Sequence, residues 1–265
     1  TGVSSTPEYG KVFISIKSTT GVDLTSAQKT NLETALAPYK VASITPVVVD
    51  AETTSLILGI TIMYDSSSTT YTASQIASLV STTVSNYSDT SLGTFNSPFR
   101  HSRLLGLIDN TDTSILNSVA TVTLAKLFTP TLSTATDYRI NFNNKFYNPV
   151  SGYNSVDGGI IASTGFYLGS VTTTTYFFDD DGSGNLRIYS LVAGVRTYTN
   201  NTAGTIDYIN GLITINQITM TGVAEVDGTT STQIRITAIP NSYDITPVRN
   251  QILEIDLVNT NVTAS

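Results

Sequence analysis

Lys11 to Ile16 reads KVFISI, with Val12, Ile14 and Ile16 alternating against Phe13 and Ser15. A period of two predicts a strand with at least one buried face. Thr25-Ser26-Ala27-Gln28 has the form of a capping box, in which the Thr hydroxyl accepts from the amide three residues on and Gln28 reaches back to the cap. It predicts a helix carrying Ala27, Leu32, Ala35 and Leu36 toward one side and stopping near Pro38. Val41 to Val49 and Leu56 to Tyr64 are rich in β-branched residues and read as two strands, and the connection from Asp50 to Ser55 is short enough for a hairpin. A second capping box, Thr72 to Gln75, opens a helix whose Ile76, Leu79, Val80 and Val84 fall on one stripe. Residues 11 to 88 thus read β-α-β-β-α, a two-layer α+β scaffold with both helices on one face of the sheet.

Ser97-Pro98 has the signature of a helix start, Ser as N-cap and Pro at the first helical position. Phe99, Leu104, Leu105, Leu107 and Ile108 follow, and the helix is expected to end near Asn110. Val119 to Phe128 alternates as a strand, closed by Thr129-Pro130. From about residue 130 onward the pattern contains no helix. Asp157-Gly158, Asp181-Gly182, Asn210-Gly211 and Asp227-Gly228 sit between strand-like runs, and such pairs supply the positive φ angles of hairpin turns. The clearest hairpin joins Ile206–Ile209 to Leu212–Ile215 across Asn210-Gly211, and the Thr run 172–175 reads as strand because Tyr176 and Phe177 continue it. Regular strands with turn signals indicate an antiparallel sandwich or open barrel. The expected class is α+β: a two-layer unit over 1–92, a helix-strand connector over 93–130, and a mainly antiparallel β domain over 131–265.

Composition narrows the chemistry. The 265 residues allow one large domain or two modest ones. Charged residues make up 12%, about half the ordinary share of roughly 25%, and Ser and Thr take their place. The net charge of −7 with 13 scattered Lys and Arg argues against a nucleic-acid partner, which needs a basic stripe. No apolar run approaches the roughly 18 residues of a membrane span, and TGVSSTPEYG is no signal peptide. A start at Thr1 without Met points to a piece of a longer chain. With no cysteine, thiol nucleophiles, thiolate metal sites and disulfides are excluded.

The remaining candidates are few. His101 is the single imidazole, inside an expected helix, and no G-x-S-x-G elbow exists to pair with it. Asp179-Asp180-Asp181-Gly182-Ser183-Gly184-Asn185 is the densest carboxylate cluster. Read as a calcium loop it places Asp179, Asp181 and Ser183 at positions 1, 3 and 5, but Ser190 stands where a bidentate Glu is needed. A solvated hairpin turn is the competing reading. Phosphate-binding glycine loops are missing. Glu is confined to Glu8, Glu33, Glu52, Glu225 and Glu254, and there is no Trp for a sugar cleft. The triplets at Asn86, Asn200 and Asn261 match the glycosylation sequon by chance in so Asn- and Thr-rich a chain. The residues assign no catalytic group, no cofactor and no small-molecule substrate, and they favour a role in protein contacts. A Thr-rich β module that binds a host surface, as in a phage or bacterial adhesin, is the alternative.

Pro7-Glu8-Tyr9-Gly10-Lys11-Val12-Phe13-Ile14, the helix ending in Pro38-Tyr39 and the strand Ile44 to Asp50 resemble the baseplate wedge protein family of T-even-type contractile-tail phages, related to the baseplate J family. Phe99-Arg100-His101-Ser102-Arg103-Leu104 through Ile108-Asp109, then Ile115 and Val119 to Leu124, resemble its next block. Gly204 to Tyr208 with Gly211, Pro240 to Ile245 and Arg249 to Leu253 are similar to its C-terminal part, in the same order. The resemblance implies a virion structural protein of the tail baseplate, assembled in the bacterial host cytoplasm, in a ring that rearranges on tail contraction. It implies copies of itself, as a homodimer, and other wedge subunits as partners, and no catalytic residues. This chain would correspond to the C-terminal region of a longer protein, with the connector 93–130 and exposed β edges meeting neighbouring copies.

Overall fold

The computed structural model describes residues 9–18, 24–40, 43–153, 158–169, 173–226, 228–248 and 250–265. Val41, Asp157, Thr172, Asp227 and Arg249, as well as Pro7 and Glu8, lie outside them. The fold is mostly β, mainly antiparallel, with three α-helices among the described residues.

The first unit is β1 (Lys11–Ile16), α1 (Ser26–Leu36) and β2 (Thr45–Asp50). The two strands pair in parallel, Lys11 opposite Thr45 through Ile16 opposite Asp50, and the helix makes the crossover that parallel strands require. The capping box is formed: Gln28 N–H donates to Thr25 Oγ1, and Thr25 N–H donates to Gln28 Oε1 at 2.9 Å. A short 3₁₀ turn over Ala37–Tyr39 ends α1, with Pro38 unable to continue it. No residue of α1 is buried, and Leu32 is 37% exposed.

The expected hairpin between the next two strands is not formed. After Ala51 the chain runs straight into β3 (Glu52–Tyr64), which leaves the first sheet for a second one of 13 strands. The reason lies in the alternation of β3. Leu56, Leu58, Ile60 and Ile62 need a buried layer deeper than a two-stranded ribbon provides, and each is at most 1% exposed. They find it under α2 (Ala73–Ser91) and α3 (His101–Asp109). The Thr72 capping box is formed, and Ile76, Val80, Val84 and Tyr87 are the buried stripe of α2, with Leu79 packed at its margin. Helix α3 starts later than Ser97-Pro98 predicts. Phe99, fully buried, is held in a β-bridge to Ile245 and packs edge-on against Tyr87, so the chain stays extended until Arg100. Strand β4 (Ile115–Phe128) then lies antiparallel to β3, with Leu56 opposite Leu124, Leu58 opposite Val122 and Ile60 opposite Ala120.

The β half contains no α-helix among the described residues, as the turn pattern predicts. It contributes β5 (Thr136–Asn141), β6 (Ile161–Ser163), β7 (Phe166–Leu168), β8 (Tyr176–Asp180), β9 (Asn185–Val192), β10 (Val195–Asp207), β11 (Leu212–Ile218), β12 (Met220–Val223) and β13 (Ile234–Ala238). Pairing runs β8-β9-β10-β11-β5, then passes by a parallel bridge from Leu132 to Met220 in β12, and returns through β7 to β8. Leu132 lies ahead of β5 and not in it, so the circuit is completed through this connecting segment, a barrel-like arrangement in which β5 ends the ladder. Phe166 stacks on Phe178 with ring centroids 4.5 Å apart, among buried Ile140, Ile213 and Ile215. Strands β6 and β13 join β8 to β4.

The β10–β11 hairpin forms, with a four-residue connection rather than a two-residue turn centred on Asn210-Gly211. Asp207 pairs with Leu212, and the Asp207 carboxylate accepts from the amides of Ile209 and Asn210. A Cβ on Gly211 would stand 2.0 Å from the Asn144 carbonyl, so only glycine permits this approach. The two-residue turn is Ala193-Gly194, both at positive φ.

The last segment returns to the first half. Strands β14 (Gln251–Ile255) and β15 (Asn261–Ala264) lie parallel along the edge of β3 that β4 leaves free. Gln251, fully buried, donates to Thr54 Oγ1 and, at 3.0 Å, to the Phe142 carbonyl, tying β14, β3 and the barrel together. Pairing therefore crosses both 92/93 and 130/131, and one apolar cluster extends from Leu56 to Ile255.

Two measurements check this packing. Ile76→Ala is expected to cost about 2–5 kcal/mol and Leu32→Ala under about 1 kcal/mol, read from urea midpoints, since only the first empties a buried site. Thr72→Ala is expected to cost about 1 kcal/mol through loss of the cap.

Candidate functional site

The carboxylate cluster is the densest chemistry in the chain, and the fold disperses it. Strand β8 alternates, so Asp179 and Asp180 point to opposite faces, and Asp181 starts the turn to β9. Asp179 is 1% exposed and sits directly across from Arg187. Arg187 Nε donates to its Oδ1 at 2.9 Å, while Arg196 Nη1 and the Tyr198 hydroxyl donate to Oδ2 at 2.7 and 2.8 Å. Arg187 also lies over the Tyr198 ring at 4.1 Å and Arg196 over the Tyr189 ring at 4.7 Å, adding cation–π attraction. The result is a ladder of alternating charge and ring across β8, β9 and β10.

Asp180, fully buried, faces the barrel interior. Its Oδ1 accepts from the amides of Ile160 and Ile161 at 3.1 and 2.9 Å, and its Oδ2 from the Tyr208 hydroxyl at 3.0 Å. Asp181 accepts from Ser183 N–H and Asn185 N–H at 2.7 and 3.0 Å, and from Asn185 Nδ2 at 2.6 Å. Burial pushes the Asp181 carboxyl up, but the Asn185 and Ser183 hydrogen bonds and the Arg187 charge outweigh it and hold it below the usual carboxylate value.

Of the candidate ion ligands, Asp179 faces Arg187, while Asp181 and Ser183 belong to the turn. Among the described residues no group of three or more His, Asp or Glu side chains is placed to hold a metal. Asp181 to Gly184 form the connection of the β8–β9 hairpin, whereas Asp179 and Asp180 are interior groups, not part of a solvated turn. Sequence reasoning missed Arg187, Arg196, Tyr198 and Tyr208. A signal existed for Arg187, because a hairpin turning at 181–184 sets residues 179 and 187 across from each other.

His101 opens α3. Its Nε2 lies 2.8 Å from the Ala120 carbonyl and its ring 5.1 Å from Tyr243, while its amide donates to Asp244 Oδ1 at 2.8 Å. Asp244 thus caps the helix from a distant segment. The imidazole pins α3 to β4.

The outward surfaces differ in kind. The helices cover one face of the β3–β4 layer. On the other, the facing pairs are Ile57/Thr123, Gly59/Thr121, Thr61/Val119 and Met63/Asn117, with Met63 57% and Val119 58% exposed. None of these is charged. In the first unit, Val12 and Phe13 of β1 are also exposed.

Asp179→Ala is expected to destabilise by about 3–5 kcal/mol by leaving the Arg187 guanidinium buried without this carboxylate, read from chemical denaturation. Calcium at about 1 mM, the range of weak extracellular sites, is expected to leave the melting temperature unchanged, because protein donors already occupy the carboxylates. Burial, then the Asp179 hydrogen bond, push the Tyr198 hydroxyl up to about 12, and burial with the Asp180 charge raises Tyr208 as well. Both folded values exceed the unfolded one near 10, so their contribution is whole below about pH 10 and is lost as pH rises toward 12. Denaturant midpoints measured across that window should fall, and Tyr198→Phe should flatten part of the fall.

Two family descriptions match the chain. Residues 2–49 match the baseplate structural protein gp6, C-terminal domain I, and residues 56–127 match the baseplate structural protein gp6, C-terminal domain III. The gap between the matches contains Ala51, where the chain passes from the first sheet to the second. Residues 128–265 lie outside both. No curated protein matches the chain. In order and position the two domains agree with the ordered motifs from Tyr9 to Leu124, and they support a T4-like baseplate wedge protein, C-terminal region, a structural component of the virion's tail baseplate.

Proposed function

We propose that this chain acts in the baseplate wedge as a rigid, non-catalytic module whose partners are other wedge subunits and further copies of itself, in a ring that rearranges when the tail contracts. The observation that carries this reading is the bare face of the β3–β4 layer. It is Thr-rich and uncharged over the β3–β4 pairs and continues onto Asn261 and Thr263 of β15, while at its β14 end Glu254 pairs with Lys17 of the first unit at 2.7 Å. An antiparallel sheet can leave one face to water, where polar side chains are the rule, but this face carries Met63 and Val119, each more than half exposed. Thr and small residues lose little side-chain entropy on ordering, so such a face suits a permanent contact.

The interior supports the same reading. The most acidic stretch spends its oxygens on strand-to-strand hydrogen bonds, which leaves it to serve rigidity rather than proton transfer. In this reading the working parts divide near residue 51, with the β1–α1–β2 unit as one body and residues 52–265 as the other. A rearranging ring shifts such bodies about their interfaces instead of deforming them.

The test is incorporation into tails. Thr61→Arg combined with Thr121→Arg places two cations on the exposed face, with a stability change expected within about 0.5 kcal/mol. Baseplates assembled with this variant and viewed by electron microscopy are expected to lack the subunit. Normal incorporation would overturn the role given to this face.

A further inference from the structure

Helix α3 is poorly made for a helix standing alone. It has nine residues, with Gly106 near its centre, where glycine is less stable than alanine. Arg100 and Arg103 stand at its amino end and Asp109 at its carboxyl end, the reverse of what the helix dipole favours. Within the chain Asp109 accepts one hydrogen bond, from the Ser118 hydroxyl at 2.5 Å, which leaves its second oxygen and the glycine unaccounted for. A Cβ on Gly106 would meet nothing within 4 Å. Arg100 reaches Asp244 only at 3.6 Å, and among the described residues Arg103 has no hydrogen-bond or ion-pair partner.

The unfavourable positions share one face. Leu104 and Ile108 point into the core, and a step of 100° per residue puts Gly106 at the opposite pole, flanked by exposed Arg103 and Asp109. Leu107, 41% exposed, borders them.

We propose that this outward face of α3 docks the same helix of a second copy of the chain, crossing it antiparallel at Gly106. This rests on the self-association read above and names its surface. The charge pattern is its own complement. Arg103 precedes the glycine by three residues and Asp109 follows it by three, so a two-fold axis at Gly106 sets each Arg103 level with Asp109 of the second copy. The glycine lets the backbones approach closely, the two Leu107 side chains cover the rim, and each reversed charge finds an opposite one. A partner lacking this pattern matches one end of the helix and repels the other.

Sedimentation equilibrium of the full 265-residue chain tests it. Arg103→Asp and Asp109→Arg, each alone, are expected to weaken self-association by about 100-fold or more, and the two together to restore it to within about tenfold. Gly106→Ala is expected to raise the melting temperature while weakening the dimer, a split in sign that a purely structural glycine does not produce. A dimer unmoved by either charge reversal overturns the surface while self-association stands. A chain strictly monomeric at about 1 mM overturns both.

Discussion

The fold depends on satisfying both edges of β3. This thirteen-residue strand carries an apolar row that must be buried and a backbone whose unpaired groups would each cost on the order of 1–3 kcal/mol. Strand β4 takes one edge. The other is taken by β14 and β15, from the opposite end of the chain. The entropy of closing so long a loop grows only with the logarithm of its length, so the distance in sequence is a small obstacle. Once made, the pairing binds the two halves. Helix α2 then packs against β15 and β14, and Gln251 links the closure to the barrel through Phe142.

Within the barrel wall the buried carboxylates set register more than they add stability. Replacing a buried ion pair by apolar groups is often neutral, whereas breaking one is costly. Asp179 against Arg187 allows one alignment of β8 on β9, and a slip by one residue would bury a charge against an apolar row. Asp180 does the same for the segment at Ile160–Ile161, which it holds by two amides. The chain thus uses its few charges where a wrong pairing would be penalised most.

This economy agrees with a baseplate part. A subunit that works by contact needs surfaces of fixed shape and little reactive chemistry, and the outward faces here are of that kind. They are nearly free of charge on the β3–β4 layer and self-matched in sign on α3.

The sequence by itself determined the local pieces. Both capping boxes, the stripe on α2, the alternation of β4 and the all-β second half are set by side chains within a few residues of one another. So were the two segments that carry the family's domains, since motif order survives without knowledge of the fold. Only the tertiary structure decided which strand met which. Alternation in β3 states that one face is buried and is silent on whether β2 or β4 buries it, so the hairpin expected at Asp50–Ser55 gave way to a longer-range pairing. Ser97-Pro98 carried a valid start signal that lost to the burial of Phe99. Asp179, Asp180 and Asp181 looked like one site because adjacency in sequence implies proximity, while the pleat of a strand sends neighbours to opposite faces. Of their partners, Arg187 was within reach of the local hairpin pattern, whereas Arg196 in β10 and Tyr208 just after it came from a segment whose approach no local pattern encodes.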